Sequence, residues 1–254
     1  TLFRSVASMA ERTEWAGDIL GFDVDPPRRN LQRSRFVRVG ATDVDRITEL
    51  VAGFNPHVIL HVGVWEPHAR LTTDQAEECT ESVAKAVFQA AHAAAALETA
   101  VVRSGIEMYG AGTYTPHIAV ESTPVAPSTT YGRMCATIEQ QATDLRISKG
   151  VNVCTLRLAP VLGAHVPSPL GRILRLPVVP YHGLYNPAFS VVEDHDAAQA
   201  FMLGAERNAD GVVNIVANGA ISMLRAITIG RRVPMPSFGP GWWLARNMSS
   251  FVGA

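Results

Sequence analysis

Short runs of valine, isoleucine and leucine alternate along the chain with longer stretches whose apolar residues recur every three or four positions. A buried-strand pattern alternating with a helical one predicts a parallel sheet covered by helices. The expected strands are 18–23, 35–39, 57–62, 99–104 and 151–158, and helices are expected near 2–12, 43–52, 73–95 and 130–148. The last helix carries Tyr131, Met134, Cys135, Ile138, Ala142 and Leu145 on one stripe, with Thr129 or Thr130 as its cap. Beyond residue 160 the rhythm loosens around prolines 160, 167, 169, 177 and 180, leaving a short strand at 188–192, a helix from Asp196 to Glu206 and a strand at 212–216. This divides the chain into a main α/β unit over 1–160 and a smaller lobe over 161–254, some of whose segments return to the main sheet. The tail around Trp242-Trp243 is expected to form an amphipathic helix that packs on the body or on a partner.

Composition narrows the partners. With 254 residues, 47% of them hydrophobic, the chain can bury a sizeable core. A net charge of -1 leaves no basic field for a polyanion, so nucleic acid is not an expected partner. Cys79, Cys135 and Cys154 are odd in number and contain no C-x-x-C pair, which argues against disulfides or a zinc site and fits a reducing cytoplasm. The histidines His57, His61, His68, His117 and His165 show no metal-ligand spacing, so no metal is expected. Lys85, His92 and Glu98 interrupt the alanine-rich stretch, so no membrane span is expected. The chain starts at Thr1 rather than methionine and reads as processed or truncated.

Several short motifs arrive in a characteristic order: a strand ending at Asp23, then His61-Val62-Gly63-Val64, Met108-Tyr109-Gly110, Tyr131, Leu156-Arg157-Leu158, and Phe189 to Ala198 in an F-x-x-V-x-D-x-A pattern. The ordered set resembles the extended short-chain dehydrogenase/reductases of the NAD-dependent sugar-nucleotide epimerase/dehydratase family, and in particular a degenerate actinobacterial-type branch. The resemblance runs over most of residues 1 to 220. It implies a doubly wound parallel-sheet Rossmann fold, here without its first strand, and a small C-terminal substrate lobe.

The same resemblance implies an NAD cofactor, with NADP less favoured. Asp23 matches the acid that accepts hydrogen bonds from the adenosine ribose and repels a 2'-phosphate. Without the resemblance, Asp23 is an acid at a strand end before the turn Asp25-Pro26-Pro27. Val62, Gly63 and Val64 match a strand tip that passes under the cofactor, while Gly40 replaces an aspartate near the adenine. If Thr1-Leu2-Phe3-Arg4 aligns with the family's Gly-rich turn, Thr1 and Arg4 replace two glycines.

In the family a tyrosine takes the substrate's hydroxyl proton, helped by a lysine four residues on and a serine or threonine from the preceding strand. A free phenol has a pKa of about 10, so roughly one molecule in a thousand is ionised at pH 7. Tyr131 holds the tyrosine position and is the expected catalytic and cofactor-facing residue; without the resemblance it is an amphipathic residue packing at a helix start. Cys135 stands at the lysine position and Gly105 at the serine position. Arg133 points about 200° around the helix and Lys149 is roughly five turns away, so no neighbour along the helix replaces the charge. Ser104 faces the opposite side of its strand from Gly105, and Cys135 reads as a small buried apolar residue rather than a nucleophile. Pro160 stands where many relatives carry an asparagine that meets the sugar-nucleotide.

Two functions follow. The first, preferred on these residues, is an NAD(P)-binding protein that holds a dinucleotide or nucleotide-sugar with little or no turnover. The second is an active but atypical epimerase, dehydratase or reductase that uses Tyr131 with a cation distant in sequence. A homodimer through helices 73–95 and 130–148 is further implied by the resemblance.

Overall fold

The computed structural model describes residues 2–26, 31–65, 71–110, 119–164, 166, 168–184 and 186–237. Helix α1 (Leu2–Ala10) is followed by strands β1 (Ile19–Asp23) and β2 (Ser34–Arg38), helix α2 (Val44–Phe54), strand β3 (Val58–His61), helix α3 (Thr73–Ala93) and strand β4 (Thr99–Gly105). A 3-10 turn at Ile106–Tyr109 precedes helix α4 (Thr130–Lys149) and strand β5 (Asn152–Leu158). Then come β6 (Val161–Leu162), α5 (Pro169–Arg175), β7 (Val178–His182), β8 (Ala188–Phe189), β9 (Val192–Glu193) and α6 (Asp194–Glu206). The described chain ends with β10 (Gly211–Ile215), β11 (Ile221–Ser222), α7 (Met223–Ile229) and β12 (Val233–Ser237).

The main sheet is parallel with strand order β10-β5-β4-β3, and β1 pairs in parallel with β2. Helices cover both faces. Ala100, Val102 and Val153 pack under α2, α3 and α4 in one core, while Val101, Cys154 and Leu156 pack against α1 and α6 in the other. Neighbouring residues of β4 thus feed opposite cores, and burying a valine side chain contributes about 1.5–3 kcal/mol each. This is the expected doubly wound α/β architecture. Local signals start its helices: Thr72 and Gln75 form a reciprocal capping box at α3, and the Thr129 hydroxyl accepts the Gly132 N–H at α4.

One consequence of the strand order bears on the site. Among the described residues, the edges of β1 and β3 that do not face β2 and β4 carry no strand partner. Residues 20–23 of β1 and 58–61 of β3 all line a cavity of about 810 Å³. Successive strand residues face opposite sides of a sheet, so an opening lined by four in a row on each strand runs along their edges. Its walls are apolar at Leu20, Phe22, Val58 and Leu60 and become polar towards the carboxyl ends, at Asp23 and Arg103.

After Ala159 the chain departs from the main sheet and then rejoins it. The pairs β6-β9, β7-β12 and β8-β11 form outside the sheet, whereas α6 packs on it and β10 adds its edge strand. The strand expected at 188–192 is two short strands, β8 and β9, because each pairs with a different partner. The tail helix expected around Trp242-Trp243 lies outside the described residues.

Candidate functional site

The carboxyl ends of parallel strands form a natural ligand crevice, and most of the expected site residues gather there. Asp23, Gly40, Val62, Gly63 and Val64 all line the cavity, together with Arg4 of α1. Asp23 Oδ1 accepts the N–H groups of Val24 at 2.7 Å and Asp25 at 3.4 Å, so the carboxylate is tied to its own turn. Burial pushes the Asp23 carboxyl up from its usual range, opposed by those backbone bonds, and Arg4 also favours the charged form. The structure places Arg4 at the start of α1, where a guanidinium meets the crevice.

Tyr131 is not among the lining residues but is joined to them by one side chain. Arg103 of β4 lines the cavity, donates from Nη2 to Tyr131 Oη at 3.2 Å, and donates a longer bond from Nη1 to the Val62 carbonyl at 3.5 Å. Among the described residues, no neighbour along the helix meets this phenol with a charge; the cation comes across the sheet from a residue distant in sequence, the arrangement that the second function requires. Strand spacing explains it. Arg103 and Gly105 share one face of β4, and the α4 N-terminus lies over that strand's tip.

Two glycines allow this close approach. A Cβ built on Gly132 would lie 2.8 Å from the Glu107 carbonyl, so only glycine lets α4 sit this near the 3-10 turn. A Cβ on Gly105 would lie 2.5 Å from Glu107 Oε2 and 2.9 Å from Tyr131 Cε1. The place expected for a serine side chain is thus filled by the tyrosine ring and the Glu107 carboxylate. Ser104, as its alternation requires, turns away and donates to Glu139 Oε1 at 2.5 Å.

Cys135 is fully buried, and burial pushes its thiol up to about 12, so it is a neutral packing residue. Beneath it lies a polar cluster absent from the expected site. Arg157 donates to Glu139 through Nε at 2.9 Å and Nη2 at 2.7 Å, and through Nη1 to Tyr109 Oη at 3.1 Å. The Tyr109 hydroxyl in turn donates to Asn214 Oδ1 at 2.7 Å. His61 is buried beside the cavity, stacked on Phe88 with ring centroids 5.5 Å apart. Desolvation lowers its pKa to about 4, aided by the nearby Arg103 charge, so the ring is neutral at pH 7.

Other motif residues have structural places. Asp194 accepts the Ser5 hydroxyl at 2.8 Å and ties α6 to α1, while the Pro160 carbonyl accepts the Val192 N–H. Of the remaining histidines, His57 is exposed, and His68, His117 and His165 lie outside the described residues. Among the described residues no three His, Cys, Asp or Glu side chains converge on a metal-sized site, and no helix is long and apolar enough to cross a membrane.

Sequence reasoning missed Arg103, Glu107 and the Glu139-Arg157 pair. A signal existed for the first: a lone arginine inside the otherwise uncharged strand run from Thr99 to Gly105 needs a partner.

Residues 6–215 match the family model described as NAD dependent epimerase/dehydratase family. Uncharacterized proteins of Mycobacterium tuberculosis and Mycobacterium bovis are 25% identical over 219 residues, 85% of this chain. The chain spans 58% of the length of these curated relatives. In structure it is similar to the UDP-glucose 4-epimerase from Brucella ovis in complex with NAD, with TM-score 0.76 and 17% identity, covering 92% of this chain and 81% of that one. The UDP-Glc/GlcNAc 4-epimerase from Campylobacter jejuni gives 0.77 at 14% identity, covering 93% and 84%. The dTDP-glucose 4,6-dehydratase from Bacillus anthracis in complex with NAD gives 0.75 at 14%, covering 94% and 82%. At these identities the structural likeness establishes the fold.

Proposed function

Because the chain belongs to the NAD dependent epimerase/dehydratase family, we propose that it binds an NAD-type dinucleotide in the crevice at the carboxyl ends of β1 and β3 and acts on a nucleotide-sugar through Tyr131. One observation carries this: Arg103 lines the crevice and hydrogen-bonds the Tyr131 hydroxyl at 3.2 Å, so cofactor wall and phenol form one connected set. The residues present suit such a group. Asp23 offers a half-buried carboxylate to ribose hydroxyls, Arg4 a cation to a phosphate, and Val62, Gly63 and Val64 an uncharged floor. A bound nicotinamide supplies hydride transfer. The chain's own residues orient the sugar and receive its hydroxyl proton at Tyr131 Oη.

A second function, binding without turnover, is favoured by Gly105 and Cys135, which leave the site without the family's serine and lysine. The two separate in one set of measurements. Calorimetry is expected to show NAD binding in preference to NADP, weakened at least tenfold, about 1.4 kcal/mol, in Asp23→Ala. Turnover of UDP-glucose or dTDP-glucose that disappears in Tyr131→Phe supports catalysis; binding without such turnover selects the second function. Silence towards both dinucleotides and both sugars removes the proposal altogether. A homodimer through α3 and α4 belongs to the same reading, and sedimentation as a monomer at micromolar concentration would discard it.

A further inference from the structure

β4 is one of the two inner strands of the main sheet, and Arg103 is its one residue that is not fully buried. A guanidinium there loses much of its water and persists only with partners that replace it. Two of these lie on different elements: the Tyr131 hydroxyl in the first turn of α4 and the Val62 carbonyl just beyond β3. A planar fork with several fixed N–H directions can hold both at once, which a single ammonium does less well. On the helix itself, the position one turn beyond Tyr131 is the buried, protonated Cys135, which offers no charge.

We propose that Arg103 is the positioning residue for Tyr131: its guanidinium fixes the phenol ring and stabilises the phenolate, so the substrate-facing oxygen can accept a proton. The last clause rests on the function proposed above; the pairing itself does not. In the transfer a hydroxyl O–H bond of the bound molecule breaks, the Tyr131 O–H bond forms, and the negative charge passes to the substrate oxygen. Because a guanidinium stays protonated throughout the working pH range, the support does not titrate away as an amine's would.

Among the described residues, charged and titratable groups face the pair from the elements packed against it. From β3, His61 is neutral above its pKa of about 4 and adds no charge near pH 7. From the 3-10 turn, the Glu107 carboxylate and the Tyr131 ring both border the space over Gly105, where a negative charge opposes a phenolate. From α4, Cys135 is neutral and Glu139 is engaged by Arg157 and Ser104. Against this background the Arg103 guanidinium meets the Tyr131 oxygen directly, at 3.2 Å.

The test is a titration of Tyr131 in protein carrying 13Cζ-labelled tyrosine, without dinucleotide or sugar, its signal assigned with Tyr131→Phe. In Arg103→Gln the midpoint is expected at least one unit higher than in the native protein, a tenfold loss of phenolate at a given pH, while Arg103→Lys restores most of the difference. Equal midpoints in native protein and Arg103→Gln overturn the proposal, as does Arg103→Lys behaving like Arg103→Gln. Should Arg103→Gln fail to fold by circular dichroism, the native midpoint decides: a value at or above the free phenol's, about 10, overturns it. Failure to bind NAD would remove the proposed function yet leave this titration unchanged, so the two failures are distinguishable.

Discussion

Glu139→Gln is expected to lower the unfolding free energy by roughly 3–5 kcal/mol, as breaking one partner of a buried ion pair does. The Arg157 and Glu139 side chains are only 7% and 13% exposed, so the variant leaves a guanidinium out of water without its counter-charge. The Glu139 hydrogen bonds raise the Arg157 pKa above its usual value, with those to Tyr109 adding and burial opposing, so Arg157 cannot escape the cost by losing its proton. Ser104 also loses the anionic form of its acceptor, which loosens the strand segment that carries Arg103 and Gly105. The exposed Arg46-Glu49 pair, at 51% and 68%, is the internal contrast, since such pairs contribute about 0–1 kcal/mol. Urea unfolding of Glu139→Gln and Glu49→Gln measures the difference; a loss below about 1 kcal/mol in the former would show that the pair does not hold the site. The double variant Glu139→Gln with Arg157→Met is expected to recover part of the loss, because the unpaired charge is gone.

Acid is expected to destabilise the protein through His61. The folded pKa is about 4, depressed from 6.5 chiefly by desolvation, so the unfolded chain takes up the proton first. Stability from the neutral ring is therefore complete above pH 6.5 and is lost as pH falls towards 4. Between pH 7.5 and 4.5 the loss is roughly 2–3 kcal/mol. Neither ring nitrogen of His61 has a hydrogen-bond partner among the described residues, and the ring stacks on Phe88. Phenylalanine at 61 thus strands no polar partner and should remove most of this pH dependence while preserving or raising stability at neutral pH. The lowered carboxyl pKa values of Glu11, Glu121 and Asp210 act at lower pH, so their contribution falls mainly outside that interval. An unchanged pH slope in His61→Phe, read from urea midpoints at the two pH values, would sink this assignment.

Much of the fold was legible because its causes are local or periodic. Valine-rich runs flanked by amphipathic stretches specify β3, β4 and β5 and the helices between them, and the capping hydroxyls at Thr72 and Thr129 mark where two helices begin. Strand alternation also carried over: Ser104 turns from the face that Gly105 shares with Arg103, as a period of two requires. Cys135 is buried because it falls on the apolar stripe of α4. Less legible was the region after Ala159, where two-residue strands take their partners from distant segments and no periodicity is long enough to announce them.

By itself the amino-acid sequence determined the alternating α/β architecture, and it pointed through a family resemblance to Asp23, Val62, Gly63 and Val64, which line the cavity, and to Gly105 and Cys135 near Tyr131. Only the tertiary structure decided which cation meets the Tyr131 hydroxyl. Arg103 precedes Tyr131 by 28 residues and meets it across a strand-helix junction, and the Glu139-Arg157 pair spans 18 in the same way. Helical spacing constrains neighbours on one element, whereas contacts between elements depend on how a sheet and its helices pack, which Gly105 and Gly132 permit through space rather than through pattern.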